Sequence, residues 1–200
     1  MNQQKYIILD RDGVINIDSP SYIKSAEEWN AIPNSLEAIK KLTEHEYHII
    51  IISNQSGLGR GIIPYSDFIQ INLKMLSQIS KAGGSILSIL YCPSLPTDKC
   101  FNRKPAPGMF NEIARRLNIS LEECYSIGDS PRDMDASLLS KCKPLGLRTG
   151  NGRLIENDSN YYLESSDDDI YVKLREEAIQ VFRERAEKHS IETFIRTFCE

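Results

Sequence analysis

Tyr6-Ile7-Ile8-Leu9-Asp10-Arg11-Asp12-Gly13-Val14-Ile15-Asn16 is the stretch that decides the fold. An unalternated apolar run ends abruptly in two carboxylates and a glycine. A short run without polar alternation fits a strand buried on both faces, as in a parallel sheet. The pattern recurs along the chain. Ile49-Ile50-Ile51-Ile52 ends in Ser53, and the run from Ile86 to Tyr91 ends near Cys92. Tyr125-Ser126-Ile127 ends in Gly128-Asp129, and Pro144 to Leu147 is a weaker fifth run. Helix-length segments lie between them at 35–44, 66–81, 107–117 and 132–140. In the second of these, Phe68, Ile71, Met75 and Ile79 fall at helical spacing, with Ser66 as a candidate N-cap. Strands alternating with helices predict an α/β, doubly wound, Rossmann-like domain with a mostly parallel sheet. Ligands bind such sheets at the carboxyl ends of the strands. Asp10, Ser53, Lys104 and Asp129 are therefore expected to converge on one edge.

The chain has 200 residues, 40% of them apolar and 26% charged, enough for one sizeable core. Lys and Arg number 24 against 28 Asp and Glu, a net charge of −4. That balance argues against non-specific nucleic-acid binding but permits a local basic pocket. No apolar run approaches the roughly 18 residues of a membrane span. The start, Met1-Asn2-Gln3-Gln4-Lys5, carries no signal or transit pattern. Five cysteines, Cys92, Cys100, Cys124, Cys142 and Cys199, form an odd and widely spaced set. Reduced thiols and a cytoplasmic location are expected from these features.

Composition shifts at Asn151, which suggests a core over residues 1–152 and a C-terminal helical extension over 153–200. Tyr161-Tyr162-Leu163 could add an edge strand, and Asp167-Asp168-Asp169 precedes a charged helical stretch. Ile191, Phe194, Ile195 and Phe198 make an apolar stripe on that stretch. The stripe packs on the core or, alternatively, on a second copy or a partner. A monomer is expected, with a tail-mediated dimer as the alternative.

Four strand-end motifs carry chemistry. Asp10-x-Asp12 can supply a nucleophilic carboxylate and a second one for proton transfer. Adjacent acids are costly unless a cation sits among them, and Mg²⁺ suits oxygen ligands. The plainer alternative is a turn or an N-cap. Gly128-Asp129-Ser130-Pro131-Arg132-Asp133 adds Asp129 to the metal site and Asp133 to orient a lysine or a metal-bound water. The same residues could simply cap a helix with Pro131 in its first turn, and the two roles are compatible. Ser53-Asn54-Gln55-Ser56-Gly57 offers hydrogen bonds to a phosphoryl group but lacks the spacing of a nucleotide P-loop. Arg103-Lys104-Pro105 brings two cations: Lys104 for a transferring phosphoryl group and Arg103 for another anion. By itself such a pair is an ordinary solvated surface. His45, His48 and His189 show no ligand spacing, Cys124 and Cys142 suit small core positions, and Trp29 is expected to anchor the loop after Asn16.

Taken in order, these motifs resemble the haloacid dehalogenase superfamily, and within it the heptose bisphosphate and histidinol-phosphate phosphatases. Asp18, Tyr22-Ile23-Lys24-Ser25 and Leu147-Arg148-Thr149-Gly150 share the resemblance, which runs from about Lys5 to Gly152. It implies a Mg²⁺-dependent phosphatase without a large cap domain. Asp10 would be the nucleophile and Asp12 the general acid/base. Ser53 and Lys104 would hold the phosphoryl group. Asp10, Asp129 and the Asp12 carbonyl would bind Mg²⁺. Asp18, Tyr22, Asn54, Gln55, Ser56 and Arg103 would face the substrate, a small phosphorylated sugar. The implied substrate is a heptose 1,7-bisphosphate losing its C7 phosphate. The alternatives are histidinol phosphate or another sugar phosphate, and a catalytically degenerate binding protein of the same fold. The resemblance breaks at one loop. Family members carry a structural zinc there on Cys-x-His and Cys-x-Cys, whereas this chain has Cys92-Pro93-Ser94 and Cys100-Phe101-Asn102. Zinc is therefore not expected, and Cys92 and Cys100 stand as remnants of such a site.

Overall fold

The computed structural model describes residues 4–152 together with 154 and 155. The strands are β1 (Lys5–Leu9), β2 (Tyr47–Asn54), β3 (Ser88–Cys92), β4 (Tyr125–Gly128) and β5 (Lys143–Gly146). The helices are α1 (Ser35–Glu44), α2 (Ser56–Gly59), α3 (Tyr65–Ala82), α4 (Gly108–Leu117) and α5 (Pro131–Leu139). The strands form one parallel sheet in the order β3-β2-β1-β4-β5. The chain builds outward from β1 to β3, then returns to add β4 and β5 on the other side. Strand order thus reverses between β1 and β4, the position where open α/β sheets present a crevice. Leu9 pairs with both Ile51 and Ile127, so the ends of β1, β2 and β4 finish nearly level.

Strand periodicity explains the two cores. Ile7 and Leu9 point to one face with Ile49, Ile51 and Ile127, where α1 adds Ile39 and Leu42 and α3 adds Phe68, Ile71, Met75 and Ile79. Ile8, Ile50 and Ile52 point to the other face, covered by Met109, Phe110 and Ile113 of α4 and Ala136 of α5. Each such side chain contributes roughly 1.5–3 kcal/mol on burial, which is why the strand centres are rich in isoleucine and leucine. Trp29 is fully buried and packs the loop after β1 onto the first core, as expected. Cys124 and Cys142 are buried as expected. His45 is the residue that ends α1.

Ser66 is not an N-cap. Helix α3 starts one residue earlier, and Pro64 occupies the cap position with extended backbone and no capping side chain. The fixed φ of proline sets the entry, and Asp67 in the first turn complements the helix dipole. At α5, by contrast, the Ser130 N–H and hydroxyl both donate to the Asp133 carboxylate in the first turn, with Pro131 as the first helical residue. No large inserted domain interrupts the described residues. The expected strand at 161–163, the acidic run 167–169, the stripe ending at Phe198, His189 and Cys199 lie outside them. No helix among the described residues is long and apolar enough to cross a membrane.

Candidate active site

Four loops leave the level strand ends and bring five charged or polar residues together. Asp10 follows β1, Ser53 lies near the end of β2, Asp129 follows β4, Asp133 lies in the first turn of α5, and Lys104 comes from the loop before α4. Lys104 is 2% exposed. Its Nζ lies 3.1 Å from Asp10 Oδ2 and 2.6 Å from Asp133 Oδ1, and it donates to the Ile52 carbonyl at 3.2 Å. Asn54 holds the Lys104 backbone at both ends. Its Nδ2 donates to the Lys104 carbonyl at 2.9 Å, and its Oδ1 accepts the Lys104 N–H at 3.0 Å. The Lys104–Pro105 peptide bond is cis.

Carboxylate oxygens of Asp10, Asp129 and Asp133 all lie within 4.8 Å of one another. One ammonium cannot balance three buried acids, and the proton affinities show it. Burial pushes the Asp10 carboxyl up to about 8; Lys104 opposes this, while Asp133, Asp129 and Asp12 add to it. Burial also pushes Asp129 up to about 6, against the Asn151 N–H that it accepts at 2.8 Å. For Asp133 burial acts upward too, but the Lys104 charge and hydrogen bonds from Lys104 and Ser130 win and hold it low. Lys104 is stabilised as the cation despite burial, because Asp10 and Asp133 flank it. An excess of buried negative charge on hard oxygen donors suits a divalent cation such as Mg²⁺. The backbone makes room for the acids. A Cβ on Gly13 (φ +77) or on Gly150 (φ +54) would fall 2.1 or 2.0 Å from Asp129 Oδ2. A Cβ on Gly128 would fall 2.2 Å from the Cβ of Asp133.

Asp12 lies outside that cluster, in a network of its own. Arg11 Nη2 pairs with Asp12 Oδ2 at 3.0 Å, Asn16 Nδ2 donates to Oδ1 at 2.9 Å, and Gln55 Nε2 donates to Oδ2 at 2.8 Å. Burial alone would raise Asp12, but the Arg11 charge and these hydrogen bonds hold it below the usual carboxylate range. Gln55 also donates to Ser53 Oγ at 2.8 Å and accepts from Arg11 at 3.1 Å, tying β2 to the turn after β1. The same turn closes through Ile15 N–H and Asn16 N–H on the Arg11 carbonyl, at 2.8 and 3.1 Å.

Around this centre lie the expected recognition residues. Asp18 is exposed and accepts from Asn151 Nδ2 at 3.2 Å. Tyr22 is half-buried with φ +65, beside Gly57. Ser56 opens the short helix α2. Arg103 is half-buried and donates from Nη1 to the Ser94 carbonyl at 2.8 Å. Burial lowers its proton affinity, and the charges of Arg132 and Arg60 act in the same direction, so three guanidinium groups share this side of the site.

Cys92 ends β3, and its thiol faces Cys100 with 3.9 Å between the sulfurs. Ser94 and the N–H groups of Asn102 and Arg103 hydrogen-bond to Cys100 and lower its thiol's proton affinity. Asn102 Oδ1 packs where Gly108 lacks a side chain. Two thiols, a hydroxyl already bonded to one of them and a neutral amide do not match the four donors of a structural zinc site. Backbone hydrogen bonds hold this loop instead. Gln55 N–H donates to the Cys92 carbonyl at 2.7 Å, Arg103 N–H to the Cys100 carbonyl at 3.0 Å, and Gly108 N–H to the Phe101 carbonyl at 3.0 Å.

Residues 5–142 match the family model described as polynucleotide kinase 3 phosphatase. The chain is similar to the D-glycero-beta-D-manno-heptose-1,7-bisphosphate 7-phosphatase of Bordetella bronchiseptica, at 44% identity over 149 residues, 74% of this chain and 83% of the relative. A Pseudomonas putida relative of the same name is 40% identical over 148 residues, 74% of this chain and 85% of its own. The chain belongs to the heptose bisphosphate phosphatase family of the haloacid dehalogenase superfamily. A crystal structure of the B. bronchiseptica D,D-heptose 1,7-bisphosphate phosphatase with magnesium and phosphate superposes with a TM-score of 0.76. It covers 88% of this chain and 99% of its own, at 38% identity. The Burkholderia thailandensis phosphatase gives a TM-score of 0.58 at 32% identity, over 74% of this chain and 81% of its own. As a member of this family, the chain is a phosphoric monoester hydrolase.

Against the sequence expectations, the fold brings Asp10, Ser53, Lys104, Asp129 and Asp133 to one place and sets the Asp12 side chain beside it. Several contributors had no assigned role. Arg11 was readable only as a cation lying between two acids. The fit of Gly150 against Asp129 and the grip of Asn151 on Asp129 had no local signal, since both partners come from far along the chain.

Proposed function

We propose that the chain hydrolyses the C7 phosphate of D-glycero-D-manno-heptose 1,7-bisphosphate through a covalent aspartyl-phosphate. The relatives carry that name, and the placing of Lys104 between Asp10 and Asp133 is the observation that supports the chemistry most strongly. Asp10, as a carboxylate, attacks phosphorus in line with the leaving sugar oxygen. Lys104 and Ser53 hold the phosphoryl oxygens and offset the charge that spreads over them. Asp133 keeps Lys104 charged and aimed. Asp12 is held ionised by Arg11, Asn16 and Gln55, the form that takes a proton from the water attacking the aspartyl-phosphate. In the first step Asp12 passes to the leaving oxygen a proton taken from the bound phosphate monoanion, and the attacking water returns one to Asp12 in the second. Asp10, Asp129 and the Asp12 carbonyl would hold Mg²⁺, which supplies positive charge that lets Asp10 ionise and neutralises the phosphoryl group. Arg103, with Arg60 and Arg132 nearby, suits the second phosphate of a bisphosphate. Asp18, Tyr22 and Ser56 line the approach. Asn54 and Gln55 serve chiefly to hold Lys104, Ser53 and Asp12.

The test is a side-by-side kcat/KM comparison of the heptose 1,7-bisphosphate with its 7-monophosphate, histidinol phosphate and other sugar phosphates, with Mg²⁺ and with a chelator. A preference for the bisphosphate that Arg103→Ala abolishes supports the reading. A higher kcat/KM on histidinol phosphate, or full turnover without a divalent cation, overturns it. The same proposal assigns the chemistry to residues 1–152 and none to 153–200. A chain ending before Ile170 should then keep its kcat/KM, and light scattering on the two forms reports whether the tail dimerises a monomeric cytoplasmic enzyme.

A further inference from the structure

The phosphatase chemistry leaves one reactive pair unused. Cys92 lies at the end of the edge strand β3, and Cys100 lies eight residues on, past the short turn Pro96–Asp98. The Cys92 thiol donates to the Cys100 sulfur across 3.9 Å. No third His, Cys, Asp or Glu joins them in a metal-holding group among the described residues. The two remaining described cysteines, Cys124 and Cys142, are buried, and burial pushes the first up to about 11 and the second further. Cys100 differs from both: it is partly exposed, and hydrogen bonds from Ser94, the Asn102 and Arg103 N–H groups and the Cys92 thiol lower its proton affinity.

We propose that Cys92 and Cys100 form a reversible dithiol–disulfide site, oxidised by a peroxide. Cys100, as thiolate, attacks one peroxide oxygen, breaks the O–O bond and becomes a sulfenic acid, releasing hydroxide. The Cys92 sulfur then attacks the sulfenyl sulfur, and its proton leaves with the hydroxyl as water. Two thiols lose two electrons, and one peroxide becomes two waters. The sulfurs must close from 3.9 Å to the S–S bond length of about 2.05 Å. The connecting loop can give at Cys100, which is partly exposed and follows Lys99 in left-handed backbone, while the stretch after it is anchored by main-chain bonds, by Arg103 on the Ser94 carbonyl and by Asn54 on Lys104. The bond would tie the end of β3, whose Cys92 carbonyl accepts the Gln55 N–H, to the residue whose carbonyl accepts the Arg103 N–H. This site stands independently of which phosphate ester the enzyme hydrolyses.

The experiment uses the full chain, reduced, freed of reductant and exposed to hydrogen peroxide before native alkylation with iodoacetamide. Trypsin cuts after Lys81, Lys99 and Arg103, so the bond is read by mass spectrometry as a crosslink between peptides 82–99 and 100–103. The expected result is that crosslink in most molecules, reversed by dithiothreitol, with Cys124 and Cys142 alkylated only after unfolding. Cys100→Ser should remove the crosslink and leave the circular dichroism spectrum unchanged. The wild-type peptide map decides the question even if that variant misfolds. Alkylation of both Cys92 and Cys100 after peroxide overturns the proposal. So does a sulfinic acid at Cys100 without a crosslink, or a bond from Cys100 to Cys199. So does stoichiometric zinc that shields the pair from peroxide.

Discussion

The acid-rich centre of the sheet edge and the cysteine loop at its flank are held together by different forces. At the centre, Asp10, Asp129, Asp133 and Lys104 are buried together: Lys104 stays charged because Asp10 and Asp133 flank it, while the three acids oppose one another's ionisation. In the loop, Ser94 and Asn102 stand where the resemblance implied two of four metal donors, and hydrogen bonds at Cys92, Cys100 and Phe101 hold the backbone. Buried charge must be balanced locally because the solvent cannot screen it. A surface loop held by its own main chain carries no such obligation. The difference explains why substitutions are expected to be tolerated in the loop and not among the buried charges.

The comparison can be broken at the centre first. Asp10→Asn should lower kcat by about 10³-fold or more if Asp10 is the nucleophile. It should leave Tm unchanged or raise it, because it removes one of three crowded acids. A fall in Tm with activity retained would reverse both roles. Next, Lys104→Met should cost about 3–5 kcal/mol of stability at pH 7, since it strands the buried Asp133 carboxylate without its cation, while Asp10, pushed up to about 8, is already largely protonated there. The loss in denaturant melts should shrink at pH 5, where Asp133, freed of Lys104 and raised by burial, can take a proton.

A smaller effect separates charge from metal. Asp10 and Asp129 have folded-state pKa values of about 8 and about 6, above the ordinary 3.8, so the native chain binds protons more tightly than the unfolded one. Stability therefore falls as pH rises from about 4 through 6 and on towards 8, in the absence of a divalent cation. Mg²⁺ should raise Tm by several degrees at pH 8 and by little at pH 5. Equal shifts at both pH values would place the ion elsewhere. The smallest effect belongs to the loop. Cys100→Ser should change stability by no more than about 0.5 kcal/mol. A drop of several kcal/mol would mean that the thiols, not the main chain, hold the loop.

Much of this was legible in residue order. Apolar runs such as Ile49-Ile50-Ile51-Ile52 located every strand among the described residues, and α1 matches its expected span. Boundaries moved where tertiary contacts intervened. Ile86 packs against the core before the ladder starts, so β3 runs Ser88–Cys92 rather than from Ile86. Asp10, Ser53, Lys104, Asp129 and Asp133 were legible because each follows an apolar run or sits in a motif with restricted backbone. Their pairing was not. Gln55 reaches Asp12 across 43 positions and Asn151 reaches Asp129 across 22, distances that leave no local pattern.

By itself the sequence determined the class of fold, the edge of the sheet that would carry chemistry and the residue types gathered there. Strand burial and turn stereochemistry are local properties, so they can be read from neighbouring residues. Only the tertiary structure decided that Asp10 and Asp12, two positions apart, would face different partners and hold protons with opposite preference. Proton affinity depends on which charges and donors lie within a few ångströms, and chain order does not specify them. The same holds for Cys92 and Cys100, which the sequence offered as remnants and the fold set 3.9 Å apart.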